Sequence, residues 1–207
     1  MNKSFANLIS LVFHPIFVPI LGVLAIANFH LIVAAKLNAQ PKVMLVFMFA
    51  LVLSVMPLMG VMFLLKKYNI KELSAISMEE RSRAAFSLFV IYAFVAWRFD
   101  GFFVHSILKL FVVALALSSV VLAVVSRYKK VSFHVFGWAG MLVLMFVLAQ
   151  TNGESFVFWV LTTLLVTGIV ATARLRLNAH NHSEVYWGFF LGLICNIAVY
   201  LILNGRL

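Results

Sequence analysis

Between Lys3 and Lys36 the chain carries no Asp, Glu, Lys or Arg side chain. A surface helix of a soluble domain needs a polar face, and this run has none. It also exceeds the roughly 20 residues that cross a bilayer core. A secretory leader has an apolar region of only about 7–15 residues, so the run reads as a first membrane helix. The pattern then repeats. Apolar segments extend approximately over 5–34, 43–66, 84–98, 102–126, 132–149, 155–173 and 184–203. Long unalternated runs indicate helices rather than barrel strands, because backbone polar groups in lipid must be satisfied within the segment. The expectation is an all-α, polytopic transmembrane helical bundle of six to seven membrane helices, forming one domain over residues 1–207. Pro15, Pro19 and Pro57 fall inside the first two segments as kinks.

Composition agrees, with 65% hydrophobic and 11% charged residues, where soluble domains carry about 25% charged. The net charge of +10 would suggest nucleic acid in a soluble protein. Here the basic residues stand at the ends of apolar segments, where cations anchor to lipid headgroups, so no nucleic-acid partner is expected. The single Cys195 allows no disulfide framework.

If every segment crosses, the N-terminus and the connections at 67–83, 127–131 and 174–183 share one face. Most of the polar chemistry falls there, drawn from three distant segments. In ATARLRLNAHNHSEVYWGFFLG (171–192), five residues separate Arg174 from His180, and Glu184 follows His180 by four. Asn181 or Ser183 can cap the last helix, which puts Glu184 in its first turn, where the helix dipole favours a carboxylate. Glu184 can then accept the Nδ1 hydrogen of His180 and leave Nε2 as a nucleophile or base. Arg174 offers a planar, permanently charged fork suited to phosphate oxygens. In KKVSFHVFGWAG (129–140), Ser132 and the amides opening a helix can hold an anionic oxygen, and a protonated His134 can supply a proton to a leaving oxygen. KELSAISMEERSRAAF (71–86) adds Lys71, Arg81 and Arg83.

The Arg174, His180, Glu184 spacing resembles the third motif, SRxxxxxHxxxD, of the type 2 phosphatidic acid phosphatase superfamily. Val131 to His134 looks like its second motif, PSGH, and residues 78–86 stand where its first motif, KxxxxxxRP, belongs. The strings from Ser132 to Gly137 (SxHxxG), from Ala173 to His180 (ARLxLxAH) and from Val185 to Gly192 are similar to a divergent, small membrane-embedded branch of Bacteroidetes-type bacteria. Departures from the motifs are Ala173, Glu184, Phe133, Val131, Ala84 and the missing lysine–arginine pair of the first motif.

The resemblance implies a phosphohistidine mechanism with no metal and no cofactor. His180 attacks phosphorus, Glu184 orients it, and His134 protonates the leaving group. Arg174, Ser132 and a basic residue among Arg81, Arg83 and Lys71 bind the phosphate oxygens. The implied partners are membrane lipids and a lipid phosphate or diphosphate substrate, and the implied setting is a bacterial cytoplasmic (inner) membrane. Alternatives are phosphoryl transfer to an alcohol, or an inactive relative that binds lipid phosphate or serves as a subunit of a larger assembly. Lys66, Lys67, Arg127, Lys129 and Lys130 read as snorkelling anchors. His14, His30 and His105 read as packing or interfacial residues without metal-ligand spacing, and His182 as exposed or supporting. Lysine and arginine counts lean slightly towards a cytoplasmic site.

Overall fold

Proline, asparagine and serine write the helix ends of this chain. The computed structural model describes residues 1–28, 44, 47–49, 51–64, 76–98, 106–152 and 157–203. Helix α1, Lys3–Val12, is capped by the Asn2 side chain, which accepts from the Phe5 amide at 2.8 Å. It stops because Pro15 has no N–H to continue the ladder. The Leu11 carbonyl receives the His14 amide at 3.3 Å instead. The Ser10 carbonyl therefore loses the helical donor it would have had in His14. A short 3₁₀ turn, Pro15–Phe17, leads into α2, Val18–Ile26.

After a π-helical stretch, Leu51–Val55, come α3, Met56–Leu64, and α4, Met78–Arg98. A capping box opens α4: the Ser77 hydroxyl accepts from the Glu80 amide at 3.2 Å, and Glu80 accepts from the Ser77 amide at 3.1 Å. The remaining helices are α5, Ser106–Ser126; α6, Phe133–Asn152; α7, Val157–Arg176; and α8, His182–Leu203.

All regular structure among the described residues is helical. Five stretches are long and apolar enough to cross a membrane: Lys3–Ile26, Ile107–Ser126, Phe133–Gln150, Val157–Arg176 and His182–Ile202. Six to seven were expected. The difference lies in the second segment, partly outside the described residues, and in α4, which begins at Met78 with Glu79, Glu80, Arg81 and Arg83 in its first turns. The core is centred on α5 and α6, where Val112, Val135 and Leu148 are sealed from solvent. Large apolar side chains elsewhere point outward, Leu165 (65% exposed) and Leu201 (73%) among them, as a lipid-facing surface requires.

Helix α4 lies along α5, α6 packs against α7 and α8, and α1 lies on α7. The α6–α8 contact is close because Gly188 and Gly192 lack side chains. A Cβ on Gly188 would stand 2.7 Å from the Ser132 carbonyl oxygen, and one on Gly192 2.5 Å from that of Phe136. Two small residues four apart let the backbones touch, as in membrane helix pairs. The Ser132 amide consequently donates to the Glu184 carbonyl at 3.1 Å, joining the second and third motif stretches.

Candidate functional site

The site is assembled where helices end, at one end of the bundle. Helix α7 terminates with Asn178 in the left-handed region (φ 53°). The Asn178 amide bonds the Leu175 carbonyl at 3.0 Å and the Ala179 amide bonds that of Arg174 at 3.2 Å. That pair of bonds is a Schellman closure, which turns the chain back over its own helix. His180 is thereby buried rather than projected into solvent, at 7% exposure. Asn181 caps α8, its side-chain oxygen accepting from the Glu184 amide at 2.9 Å. One turn thus fixes both members of the next pair: His180 Nδ1 and Glu184 Oε2 are 2.7 Å apart.

A carboxylate accepts at this distance, so Nδ1 carries the proton and Nε2 is the free lone pair of neutral His180. Burial disfavours the charged imidazole and lowers the pKa of His180 below its usual value. Arg81 and Arg174 lower it further, and Glu184 opposes them. Neutral His180, the form able to attack an electrophile, is therefore the form present at neutral pH.

Arg81 comes from α4, where its guanidinium donates Nη2–H to the Val131 carbonyl at 2.7 Å and lies 4.7 Å from the centre of the Phe133 ring. Arg174 donates Nη1–H to the Ser10 hydroxyl at 2.6 Å. Ser132, fully buried, stands at the opening of α6. Within the protein, Ser132 Oγ, Arg81 Nε and Arg174 Nε have no hydrogen-bond partner although each is buried. An unpaired buried donor typically costs about 1–3 kcal/mol. Two of these residues, Arg81 and Arg174, act electrostatically on His180, and the third, Ser132, is tied through its amide to the Glu184 carbonyl.

Lys130 Nζ reaches Glu184 at 3.9 Å. It lines an open cavity of ≈ 430 Å³ together with His180 and Glu184. Arg81, Arg174 and Ser132 do not line that cavity. Nor does His134, whose Nε2 lies 3.2 Å from the Ser10 carbonyl and 3.3 Å from its hydroxyl. Its ring meets that of His14 edge-on at 4.8 Å. Arg174, His14 and His180 are all within electrostatic range of His134.

Sequence-expected residues are not all brought together. His180, Glu184, Arg174, Arg81 and Ser132 converge, and His134 borders them. Arg83 does not join them. Two residues on from Arg81, it lies about 200° round the helix at 3.6 residues per turn, and there pairs with Glu79 at 2.6 Å on the exposed surface. Lys71 lies outside the described residues. His182 is exposed.

One reading is corrected. Lys130, expected as a lipid anchor, is drawn to Glu184 at the cavity, while Lys129 stacks over Trp187 at 4.3 Å. His14, expected as a packing or interfacial residue, packs edge-on against His134. Ser10 was missed altogether, since a lone serine in an apolar helix gives no signal of its role. Comparison of the chain with protein-family models, with curated proteins and with solved structures returned no match.

Proposed function

We propose that this protein is an integral-membrane phosphatase acting on lipid phosphates or diphosphates through a phosphohistidine intermediate, without a metal. The observation that carries the reading is the set of three unpaired buried donors, on Ser132, Arg81 and Arg174, on segments that meet near a histidine whose Nδ1–H is held by a carboxylate. A phosphoryl group has the oxygens to satisfy Ser132 Oγ, Arg81 Nε and Arg174 Nε together. In the step that follows, the Nε2 lone pair of His180 forms the N–P bond as the P–O bond to the lipid alcohol breaks. His134, protonated at Nδ1 while its Nε2–H stays with the Ser10 carbonyl, gives that Nδ1 proton to the departing oxygen. Water then attacks phosphorus, its proton passing to His134 as the N–P bond breaks, which releases inorganic phosphate and restores both histidines. Glu184 stabilises the positive charge that develops on the imidazole ring. The six to seven crossings and the bacterial cytoplasmic membrane belong to this proposal.

The test is phosphate release from phosphatidic acid, phosphatidylglycerol phosphate and an isoprenyl diphosphate by purified protein. His180→Ala is expected to abolish it, and His134→Ala to slow it by ~10²–10⁴-fold, the usual worth of a positioned acid. Full activity of His180→Ala would end the mechanism. A second reading, a lipid-phosphate binder without turnover, is favoured by Phe133, whose ring covers one side of the Arg81 guanidinium. Binding of those lipids with no phosphate release would select it.

A further inference from the structure

We propose that the broken N-terminal helix is part of this phosphate site, with Ser10 as the residue that positions both Arg174 and His134. The inference rests on the phosphate-site reading and adds a fourth segment to it.

The break in α1 exposes two carbonyls, and α6 uses both. His134 Nε2 lies 3.2 Å from the Ser10 carbonyl, and one turn further along α6 Trp138 Nε1 donates to the Phe13 carbonyl at 2.8 Å. A carbonyl only accepts, so Nε2 of His134 carries the proton and neutral His134 is held in a single tautomer. The Ser10 hydroxyl is also committed across the interface. A serine inside an apolar helix ordinarily bonds a carbonyl of its own preceding turn; this one accepts from Arg174 at 2.6 Å.

That contact has a geometric consequence. Tying Nη1 of Arg174 to Ser10 fixes the guanidinium plane and leaves its Nε edge unpaired for a phosphate oxygen. Ser10 therefore stands between the clamp and His134, setting the angle of one and the tautomer of the other, with Nδ1 of His134 left as the nitrogen that takes up and gives the catalytic proton. The hydroxyl is buried (8% exposed), where a charge-assisted bond is strong and water does not compete for it.

The experiment uses the full chain in nanodiscs: wild type, Ser10→Ala, Ser10→Thr and, as a control on the same helix, Leu8→Ala, which is 53% exposed. Orthovanadate affinity by calorimetry is read beside kcat, KM and Tm with phosphatidic acid. Loss of one charge-assisted hydrogen bond is expected to weaken vanadate by about tenfold or more in Ser10→Ala. Ser10→Thr, which keeps the hydroxyl, and Leu8→Ala should stay near wild type. Unchanged vanadate affinity and kinetics in Ser10→Ala would overturn the proposal. So would an equal fall in Ser10→Ala and Ser10→Thr with a lowered Tm in both, which marks a packing role. If wild type binds vanadate but releases no phosphate from lipid, the phosphatase reading fails while the affinity ratio still decides Ser10. If wild type binds no vanadate, both fall.

Discussion

Replacing Glu184 by Gln isolates the charge on the His180 partner while keeping its size and a carbonyl acceptor. In the native chain Glu184 Oε2 lies 2.7 Å from His180 Nδ1, and its other oxygen accepts from Asn181 at 3.3 Å. A hydrogen bond to a charged group contributes about 1.5–3 kcal/mol and a neutral one about 0.5–1.5 kcal/mol. The substitution therefore removes about 1–1.5 kcal/mol from the protonated form of His180, or about tenfold in its proton affinity. The direction follows from the causes. Burial, Arg81 and Arg174 already hold the His180 pKa below about 6.5, and Glu184 is the group that raises it. Without that charge the pKa drops further. Stability follows the same sign. The unfolded chain takes up a proton near pH 6.5 that folded His180 resists, so stability is full above that value. It declines as pH falls towards the lowered folded pKa, and in Glu184→Gln the decline extends to more acid pH. The assay is an NMR titration of the protein labelled at its six histidines, with His180 assigned by its absence in His180→Asn. A midpoint in Glu184→Gln equal to or above that of wild type would refute the reasoning. Under the proposed mechanism kcat falls too, because the imidazole loses the counter-charge that stabilises it during attack.

Further outcomes follow from the packing. Gly188→Ala forces a Cβ to within 2.7 Å of a backbone oxygen that cannot swing aside, so α8 must lift off α6. A loss of about 1–3 kcal/mol is expected in thermal unfolding, whereas Gly168→Ala, with open space around it, should be neutral or stabilising; equal effects would discard this account of the interface. Arg81→Lys should weaken vanadate about tenfold, since an ammonium cannot hold the Val131 carbonyl, the Phe133 face and an anion at once. Arg83→Gln removes only an exposed pair with Glu79 and should change stability by no more than about 0.5 kcal/mol, with vanadate affinity unchanged.

The parts of the site that were readable in the sequence are those fixed by local rules. An Asn at the head of a helix with Glu three residues on is a capping signal, and a His four residues before that Glu can close onto it within one turn. The gathering of residues from 77–83, 127–132 and 174–184 is read from a count of seven crossings, against which five stretches long and apolar enough are found among the described residues. What the sequence left open depends on which helix face meets which neighbour. Arg81 and Arg83 are equivalent as letters, and only the packing of α4 against the start of α6 separates the buried cation from the exposed one. Lys130 and Lys129 are separated in the same way by Glu184 and Trp187. Ser10 was beyond reach for a further reason. Pro15 announces a break, but which partner takes the released carbonyl is decided by the arrangement of α6 more than a hundred residues later.

The number of unpaired donors also limits what can bind. A carboxylate has two oxygens, and Ser132 Oγ, Arg81 Nε and Arg174 Nε are three donors on three segments. A phosphoryl group presents three non-bridging oxygens around one centre, and in an in-line displacement the nucleophile and the leaving oxygen lie on opposite sides of them. In this protein His180 and Glu184 line the open cavity, whereas His134 does not line it and is held by Ser10 of α1. A lipid alcohol leaves towards apolar surroundings, and α1, which touches His134 through Ser10, exposes Phe5 and Leu11 on its outer face. Inorganic phosphate, once cleaved from His180, has the opposite need. It is charged, and the cavity carrying Lys130 lies at the polar end of the bundle, where the loops and the N-terminus meet. Under the proposed reaction each product thus has a surface of matching polarity to leave by. That asymmetry predicts that polar substitutions at Phe5 and Leu11 change the preferred lipid chain, while substitutions at Lys130 change the release of phosphate.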